Sequence, residues 1–312
     1  MATIKEKHIT CSRILRPDIF NYIGGDYLMP TSESACLYIV STPIGNLSDM
    51  SVRAIDILQQ VDLVAAEDTR HSGRLLQHFS ITTPMISLHE HNEQQRSEVL
   101  LGKLEQGESV ALISDAGTPL ISDPGYRLVS LVRENGIRVV PIPGACALIA
   151  GLSASGLPSD HFCFEGFLPS KQNARQQILQ KLQAETRTMI FYESPRRLQA
   201  TLKDMITEFG ADRRVCLARE LTKLHETIET HPLSQLLEWV TADSQQQKGE
   251  CVLLVEGAQQ QQSADEVEIL RVLSILLEDL PVKRAATMTA ALLKIGKNEA
   301  YQLALKLQQK GS

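Results

Sequence analysis

Short apolar runs alternate with amphipathic stretches along most of the chain. In the first half, the runs with the length of a buried strand are residues 37–40, 62–66, 110–113 and 138–142. Stretches with a helical pattern, such as 92–105 and 126–134, lie between them. This alternation predicts a mostly parallel sheet covered by helices, with ligands bound where the strands end.

The second half repeats the pattern after a boundary near residues 156–159. It opens with the stretch 162–168. Its predicted strands are 188–192, 215–218 and 251–255, and its predicted helices begin near Asn173 and at Pro195. Two α/β halves of similar size predict a cleft between them. The expected division is a first α/β domain over 36–157 and a second over 158–257, preceded by a poorly ordered extension over 1–35.

The end of the chain has a different, all-helical pattern. A Gln/Ser-rich stretch, 258–264, predicts a linker, and helices are expected over 269–277, 282–293 and 299–307. A turn at 295–297 separates the last two, with Asn298 as the predicted N-cap. Short helices joined by a Gly-containing turn indicate a helix-turn-helix module over 265–312.

Composition narrows the functional classes. The chain has 312 residues, 43% of them hydrophobic, and a formal net charge of −6. These values predict globular domains and disfavour a polycation, although a local basic patch can still bind RNA. The six cysteines are scattered without a C-x-x-C pair, which favours reduced, cytoplasmic thiols and no metal site. No apolar run approaches the roughly 20 residues of a membrane helix, so no membrane partner is expected.

Three loops after predicted strands carry small and polar residues. The turn after the first strand contains Pro43 and Gly45 and matches neither a Walker A loop nor a G-x-G-x-x-G fingerprint. In the loop over 114–125, Ala and Gly leave space, as a ligand with an amine and hydroxyls requires. Polar atoms for such a ligand come from Asp115, Thr118, Ser122 and Asp123. The loop over 141–147 again has small residues that permit close approach. We count Gly45 and Asp115 among the candidate cofactor contacts.

Charged residues follow several predicted strands. Glu67, Asp68 and Arg70 come directly after the strand over 62–66, and Glu220 and Lys223 follow the strand over 215–218. They are the candidate catalytic residues. The candidate phosphate contacts of the second half are Arg196, Arg197 and Arg219.

Positive charge is concentrated in the helical module. Between Pro281 and Ser312 there is one acid, Glu299, against six basic residues: Lys283, Arg284, Lys294, Lys297, Lys306 and Lys310. Six minus one gives a local +5 on a chain of net −6. Such clustering is the electrostatic pattern of phosphate binding, and Lys283, Arg284, Lys294 and Lys297 are the predicted RNA contacts. A helical cap or a dimerisation element remains the alternative.

The loops also carry long motifs in a fixed order. These are TPIGNLSD, AEDTRHSGRLLQHF, SDAGTPLISDPGY, FEGFLP, FYESPRRL and ARELTKLHET. From about Leu37 to the C-terminus the chain resembles the tetrapyrrole-methylase-like class of S-adenosylmethionine methyltransferases. Within that class it is similar to the ribosomal RNA small subunit methyltransferase I subfamily.

The resemblance implies a fold and a reaction. The fold would be α/β, with two domains of the tetrapyrrole methylase type, the cofactor cleft between them, and a small C-terminal helical module. The reaction would be methyl transfer from S-adenosylmethionine to the ribose 2′-oxygen of a cytidine in the decoding region of 16S rRNA. The partners would be 16S rRNA or the small ribosomal subunit, with a cytoplasmic homodimer as the active form.

Matching motifs imply roles for particular residues. Asp68 and Arg70 match a strand-end Asp/Arg pair that faces the acceptor in relatives. The cofactor contacts implied by the motifs are Pro43, Ala116, Gly117, Thr118, Ser122, Cys146, Ala147, Tyr192 and Ala218. Our hypothesis is that Asp68 or Glu67 orients or deprotonates the 2′-hydroxyl while Arg70 holds a phosphate.

Two alternatives remain open from the sequence. One is methylation of a small tetrapyrrole precursor, against which the basic module and the AEDTR and ARELTK strings argue. The other is a cofactor-binding protein without catalysis, which would bind S-adenosylmethionine and label no RNA. A nicotinamide-dependent dehydrogenase fits poorly, because the glycine fingerprint is missing.

Overall fold

The computed structural model describes residues 35–258 and 264–310. The predicted N-terminal extension therefore lies outside the described residues except at residue 35. Residues 259–263 of the predicted linker also lie outside them. No helix in the described ranges is both long enough and apolar enough to span a membrane.

The first half is a five-stranded parallel sheet in the order β3-β2-β4-β1-β5. Its strands are β1 (Cys36–Val40), β2 (Leu63–Ala66), β3 (Met85–Ser87), β4 (Val110–Ile113) and β5 (Arg138–Ile142). Its helices are α1 (Val52–Gln60), α2 (Thr69–His78), α3 (Glu93–Glu105), α4 (Tyr126–Glu134) and α5 (Ala147–Ala154). The prediction of a mostly parallel sheet is confirmed for this half, and β3 is an additional strand.

Both faces of this sheet are buried, which explains its continuous apolar runs. On β4, Val110 and Leu112 belong to one hydrophobic cluster while Ala111 and Ile113 belong to the cluster on the other face. Successive residues of a strand point to opposite faces, so a fully buried strand needs an apolar residue at every position.

The second half is a mixed sheet in the order β6-β7-β10-β8-β9. Its strands are β6 (Phe162–Phe167), β7 (Thr188–Glu193), β8 (Arg214–Arg219), β9 (Thr227–Pro232) and β10 (Cys251–Val255). Its helices are α6 (Gln172–Leu182), α7 (Pro195–Phe209) and α8 (Leu233–Ala242). Only the β6–β7 pair is parallel among the described strand pairs of this sheet. The parallel expectation does not extend here, because β8 and β9 form an antiparallel pair joined by a short loop.

An apolar cluster joins the two halves. The first half contributes Ile44, Leu148 and Leu152, the last two from α5. The second half contributes residues of its sheet and its β8–β9 loop: Ile190, Cys216, Ala218, Leu221, Val252 and Leu254. This shared cluster forms the base of the space between the halves.

The C-terminal module contains three helices, α9 (Ala264–Asp279), α10 (Val282–Leu293) and α11 (Lys297–Lys310). They pack around a small core that includes Ile269, Leu273 and Ala304. The predicted N-cap at Asn298 is wrong. Helix α11 begins at Lys297, two residues before the predicted start, and the Gly296 carbonyl accepts the first helical hydrogen bond from the Ala300 amide at 3.1 Å.

Candidate active site

A cleft of about 470 Å³ lies between the two halves. From the first half it is lined by Ile44, Glu67, residues 115–118, residues 121–123 and Ala147. From the second half it is lined by Phe167, residues 192–195, Ala218, Leu221 and residues 249–252. A volume of this size lies within the range of small-molecule sites.

Most of the predicted cofactor contacts meet at this cleft. Those that line it are Asp115, Ala116, Gly117, Thr118, Ser122, Ala147, Tyr192 and Ala218. Pro43, Gly45 and Cys146 lie outside its lining. Gly45 has a different role, because a Cβ there would lie 2.5 Å from Cγ of Lys223. Its missing side chain therefore makes room for the Lys223 stem.

Hydrogen bonds tie the three predicted loops together on the first wall. Thr42 and Gly117 exchange backbone hydrogen bonds of 2.8 and 3.0 Å. The Thr118 hydroxyl donates to the Ala145 carbonyl at 3.0 Å and lies 3.0 Å from the Ser41 hydroxyl. Gly117 has φ +91°, and a Cβ there would lie 3.3 Å from Ile44 Cγ2. The close approach of these loops therefore depends on glycine at this position.

The loop over 114–125 is also anchored at its far end. The Glu93 carboxylate, which is buried, accepts hydrogen bonds from the Gly125 amide at 3.0 Å and the Arg127 amide at 2.9 Å. Within the loop, Leu120 and Ser122 have positive φ angles of 73° and 67°. Non-glycine residues adopt this conformation only where the surroundings impose it. The loop is therefore held in one shape before any ligand arrives.

The second wall is aromatic and apolar. The Tyr192 ring makes edge-to-face contacts with Phe164, at 4.8 Å between centroids, and with Phe167, at 5.6 Å. The Tyr192 hydroxyl accepts a hydrogen bond from the Leu148 amide at 3.3 Å. Burial raises the pKa of Tyr192, so its phenol stays neutral at physiological pH. The aromatic rings of this wall are therefore available for contact with a ligand, and the Tyr192 phenol adds no charge to the wall.

Five carboxylates line the cleft, and no lysine or arginine of the described residues does. Two of the five are paired. The Glu193 carboxylate accepts from Arg197 at 2.7 Å and from Thr201 at 2.6 Å, and Glu250 pairs with Lys223 at 2.8 Å. The three without an ion pair among the described residues are Glu67, Asp115 and Asp123.

Two of the unpaired carboxylates, Glu67 and Asp123, have raised pKa values. Burial raises the pKa of Glu67, and the negative charges of Asp123 and Asp115 raise it further. Burial also raises the pKa of Asp123, with a further contribution from Asp115. The cleft thus has an excess of negative charge that favours a cationic ligand. No group of three His, Cys, Asp or Glu side chains in the described ranges is arranged to hold a metal ion.

Glu67 and Asp68 are adjacent in sequence but differ in their surroundings. Asp68 caps α2 by accepting from the Arg70 amide at 2.8 Å, and the Arg70 guanidinium binds its two carboxylate oxygens at 3.2 and 2.8 Å. The hydrogen bonds from Arg70 hold the pKa of Asp68 well below its usual range. Glu67 lines the cleft, whereas Asp68 and Arg70 do not. The Arg70 side chain is 90% exposed.

Glu220 and Lys223, the second pair of catalytic candidates, belong to an ion cluster beside the cleft. The Lys223 ammonium lies 2.9 Å from Glu220 and 2.8 Å from Glu250. These hydrogen bonds outweigh the effect of burial, so that the pKa of Lys223 is raised and that of Glu220 is lowered. Neither residue lines the cleft, although Glu250 does. The cluster therefore lies at the rim of the cleft. The two pKa shifts keep Lys223 protonated and Glu220 ionised, so neither residue readily exchanges a proton.

The three arginines predicted to contact phosphate lie in different environments. Arg196 is exposed, as the prediction requires. Arg197 is engaged by Glu193 and by the Leu168 carbonyl, which its guanidinium reaches at 2.8 Å. Arg219 is only 6% exposed and donates to the Gln246 side chain, the Thr227 hydroxyl and the carbonyls of Lys248 and His225. The prediction that Arg219 contacts RNA is therefore wrong, because its guanidinium is used inside the protein.

Replacing Arg219 with methionine is expected to lower the free energy of unfolding by at least about 2 kcal/mol, because buried carbonyls lose their donors. Urea unfolding measures this change. The control is Arg196→Met, which alters an exposed side chain and should change stability by less than about 0.5 kcal/mol. A stable Arg219→Met protein with weakened RNA binding would restore the phosphate-contact role.

The predicted RNA contacts of the helical module lie at its surface. Lys283, Arg284, Lys294 and Lys297 are all exposed. Within the described residues, none of the four takes part in an ion pair. Their charges are therefore available to a polyanion, and the RNA contact itself stays a prediction.

Several cleft residues were not among the predicted site residues. Phe167 is an aromatic side chain at the cleft, Val252 enters it from β10, and Glu250 enters it from the position just before that strand. Leu221 enters it from the loop that also holds Glu220 and Thr222 at positive φ. Asp123 was named among the polar residues of the loop over 114–125 but was not counted as a cofactor contact.

Comparison with known proteins agrees with this architecture. A family model described as Tetrapyrrole (Corrin/Porphyrin) Methylases matches residues 36–237, and one described as RsmI C-terminal HTH domain matches residues 263–308. The crystal structure of the methyltransferase CobJ has a TM-score of 0.54 at 18% identity, covering 72% of this chain and 95% of that one. Diphthine synthase has a TM-score of 0.52 at 13% identity, covering 71% and 90%. These two structures share the fold.

Curated relatives are much more similar in sequence. The protein named ribosomal RNA small subunit methyltransferase I from Escherichia coli O157:H7 is 55% identical over 272 residues, covering 87% of this chain and 95% of the relative. The protein of the same name from Pseudomonas aeruginosa is 56% identical over 280 residues, covering 89% and 99%. The chain therefore belongs to the tetrapyrrole methylase family and, within it, to the ribosomal RNA small subunit methyltransferase I family of methyltransferases.

Proposed function

We propose that the chain transfers a methyl group from S-adenosylmethionine to the ribose 2′-oxygen of a cytidine in the decoding region of 16S rRNA. The observation that carries the rRNA assignment is the 55% identity, over most of both chains, to a relative named for small-subunit rRNA methylation. The exposed basic side chains of the helical module agree with an RNA partner. The proposed active form is a homodimer in the cytoplasm, acting on 16S rRNA or the small subunit.

The cleft fits the proposed cofactor in charge and in space. S-adenosylmethionine carries a sulfonium and an ammonium group, and Glu67, Asp115 and Asp123 line the cleft without an ion pair in the described ranges. Small residues such as Ala116, Gly117 and Ala147 leave room along the same wall. These residues, with Ser122, Tyr192 and Ala218, are the proposed cofactor contacts.

The reaction requires a base for the hydroxyl proton. When bound, S-adenosylmethionine supplies an electrophilic methyl carbon whose bond to sulfur breaks as the bond to the 2′-oxygen forms. Glu67 takes the 2′-hydroxyl proton onto its carboxylate, since it lines the cleft and its pKa is raised toward the working pH. Asp68 is a weaker candidate, because the hydrogen bonds from Arg70 lower its pKa and therefore its basicity. In this proposal Arg70, whose side chain is exposed, offers to a phosphate the N–H groups that do not bind Asp68.

The second candidate function is methylation of a tetrapyrrole precursor, which the name of the matched family suggests. Such precursors carry carboxylates on the ring that must enter the cleft. Three carboxylates without an ion pair line the cleft and no cation from the described residues does, so the cleft would repel that ligand. An RNA substrate needs to insert only one nucleoside, while its phosphates remain outside.

The test is methyl transfer from radiolabelled S-adenosylmethionine to small ribosomal subunits from cells lacking this protein, with nuclease mapping of the label. We expect label at a single ribose 2′-oxygen of a cytidine in the decoding region. Tight cofactor binding without label on subunits or on free rRNA would refute the proposal in favour of a small-molecule or non-catalytic role.

A further inference from the structure

Strand β6 has an irregularity at the end nearest the cleft. Its pairing with β7 runs Phe162–Thr188, Cys163–Met189 and Phe164–Ile190, then resumes at Gly166–Phe191 and Phe167–Tyr192. Glu165 is therefore an extra residue, and Gly166 next to it has φ +66°. This is a β-bulge on an edge strand, a feature that often redirects a side chain near an active site.

The bulge decides which face Phe167 occupies. On β7, Ile190 and Tyr192 point toward the cluster beneath the cleft, whereas Phe191 points into the core on the opposite face. Without the extra residue, position 166 would pair with Tyr192, and residue 167 would point with Phe191. With the bulge, Phe167 pairs with Tyr192 and lines the cleft.

Phe167 is also exposed to an unusual degree for its surroundings. It is 58% exposed although it lines a cleft and contacts the Tyr192 ring edge-to-face at 5.6 Å. Tyr192 is held in turn by Phe164 and by the Leu148 amide. The Phe167 ring is thus supported from one side by a fixed aromatic group and leaves more than half of its surface exposed at the cleft.

We propose that Phe167 is the stacking platform for the base of the nucleotide that enters the cleft. This inference rests on the proposed function. A target ribose must leave the RNA stack to reach Glu67, and a base removed from its stack is commonly received by an aromatic ring. The carboxylates that line the cleft cannot attract phosphates, so recognition inside it depends on the nucleoside. An exposed ring provides such recognition without needing a charge.

The test compares Phe167→Ala with two further variants in the subunit methylation assay. Loss of a stacked base is expected to lower kcat/KM for small subunits about tenfold or more, mainly through KM. The Kd for S-adenosylmethionine, measured by calorimetry without RNA, should stay within about twofold. Phe167→Tyr retains a ring and should recover most of the wild-type kcat/KM.

The matched control is Phe162→Ala. Phe162 is the same residue type on the same strand and is 39% exposed, but it lies at the end away from the cleft. Its loss should leave both kcat/KM and the Kd for cofactor unchanged.

Three results would overturn the inference. Wild-type kcat/KM in Phe167→Ala, or equal losses in Phe167→Ala and Phe162→Ala, would remove the role of the ring. A tenfold weaker Kd for S-adenosylmethionine in Phe167→Ala would assign the ring to the cofactor instead. Failure of the wild-type protein to label any RNA would refute the proposed function itself, which distinguishes that failure from the other three.

Discussion

Glu67→Gln is expected to lower kcat for methyl transfer by about 10²–10⁴-fold, the usual contribution of a general base. The amide keeps the size of the side chain but cannot take the 2′-hydroxyl proton. The Kd for S-adenosylmethionine should rise by only a few-fold, because Asp115 and Asp123 keep the cleft negative. Single-turnover methylation of small subunits and calorimetry with the cofactor separate these two quantities.

The matched control for this prediction is the neighbouring residue. Asp68→Asn removes a carboxylate but preserves the cap of α2, since Asn and Asp are equally good N-caps. Its kcat should remain within about threefold of wild type. Full turnover in Glu67→Gln together with a collapse in Asp68→Asn would exchange the roles of the two residues.

Glu67→Gln also has an expected signature in stability. The pKa of Glu67 is raised in the folded protein, so folding favours its protonated form. The stabilisation is present below the ordinary carboxyl pKa and is lost as pH rises through the raised pKa. At pH 7 the ionised side chain therefore destabilises the fold. Glu67→Gln should have a higher Tm than wild type at pH 7 and no advantage near pH 4, which would show that its loss of activity is not a loss of folding.

Neutralising the helical module is expected to weaken RNA binding on the order of 100-fold at moderate salt. The variant replaces Lys283, Arg284, Lys294 and Lys297 with glutamine. Each lost phosphate contact should also reduce the slope of log K against log salt by about one unit. Filter binding to 16S rRNA across a salt series measures both effects, and the Kd for S-adenosylmethionine should not change.

A control with the same change in net charge is available on other helices. Arg127, Arg133, Lys181 and Lys203 are exposed on α4, α6 and α7, and their replacement by glutamine removes the same number of charges. Equal weakening by the two quadruple variants would mean that net charge, rather than the helical module, controls the affinity.

The helices and strands that could be predicted from the sequence are those whose own residues show a clear hydrophobic pattern or a clear end. Strand β4 and helix α10 have the predicted bounds, because one is a fully buried apolar run and the other begins after a proline. Strand β9 was missed, since every residue in it is half-buried and its sequence has no apolar run. Strand β3 was missed because it has only three residues.

The same distinction applies to the candidate site. Residues with a local sequence pattern could be predicted, and residues placed by pairing or by distant contacts could not. The loops over 114–125 and 141–147 could be located because they follow parallel strands and contain the small residues that close approach requires. Phe167 could not, since its direction depends on one extra residue in the β6–β7 pairing. Arg219 was misassigned because the partners that bury its guanidinium, around Gln246 and Lys248, are distant in sequence.

The apolar cluster shared by the two halves limits how ligands can exchange. Swinging the halves apart would expose Leu148, Leu152 and Leu254 to water, at about 25 cal/mol for each Å² of apolar surface. Opening the cleft by rotating one half away from the other is therefore unfavourable in free energy. For the same reason, the two sheets should unfold as one cooperative unit. Entry and exit then proceed through movement of the rim, while the floor of the cleft stays fixed.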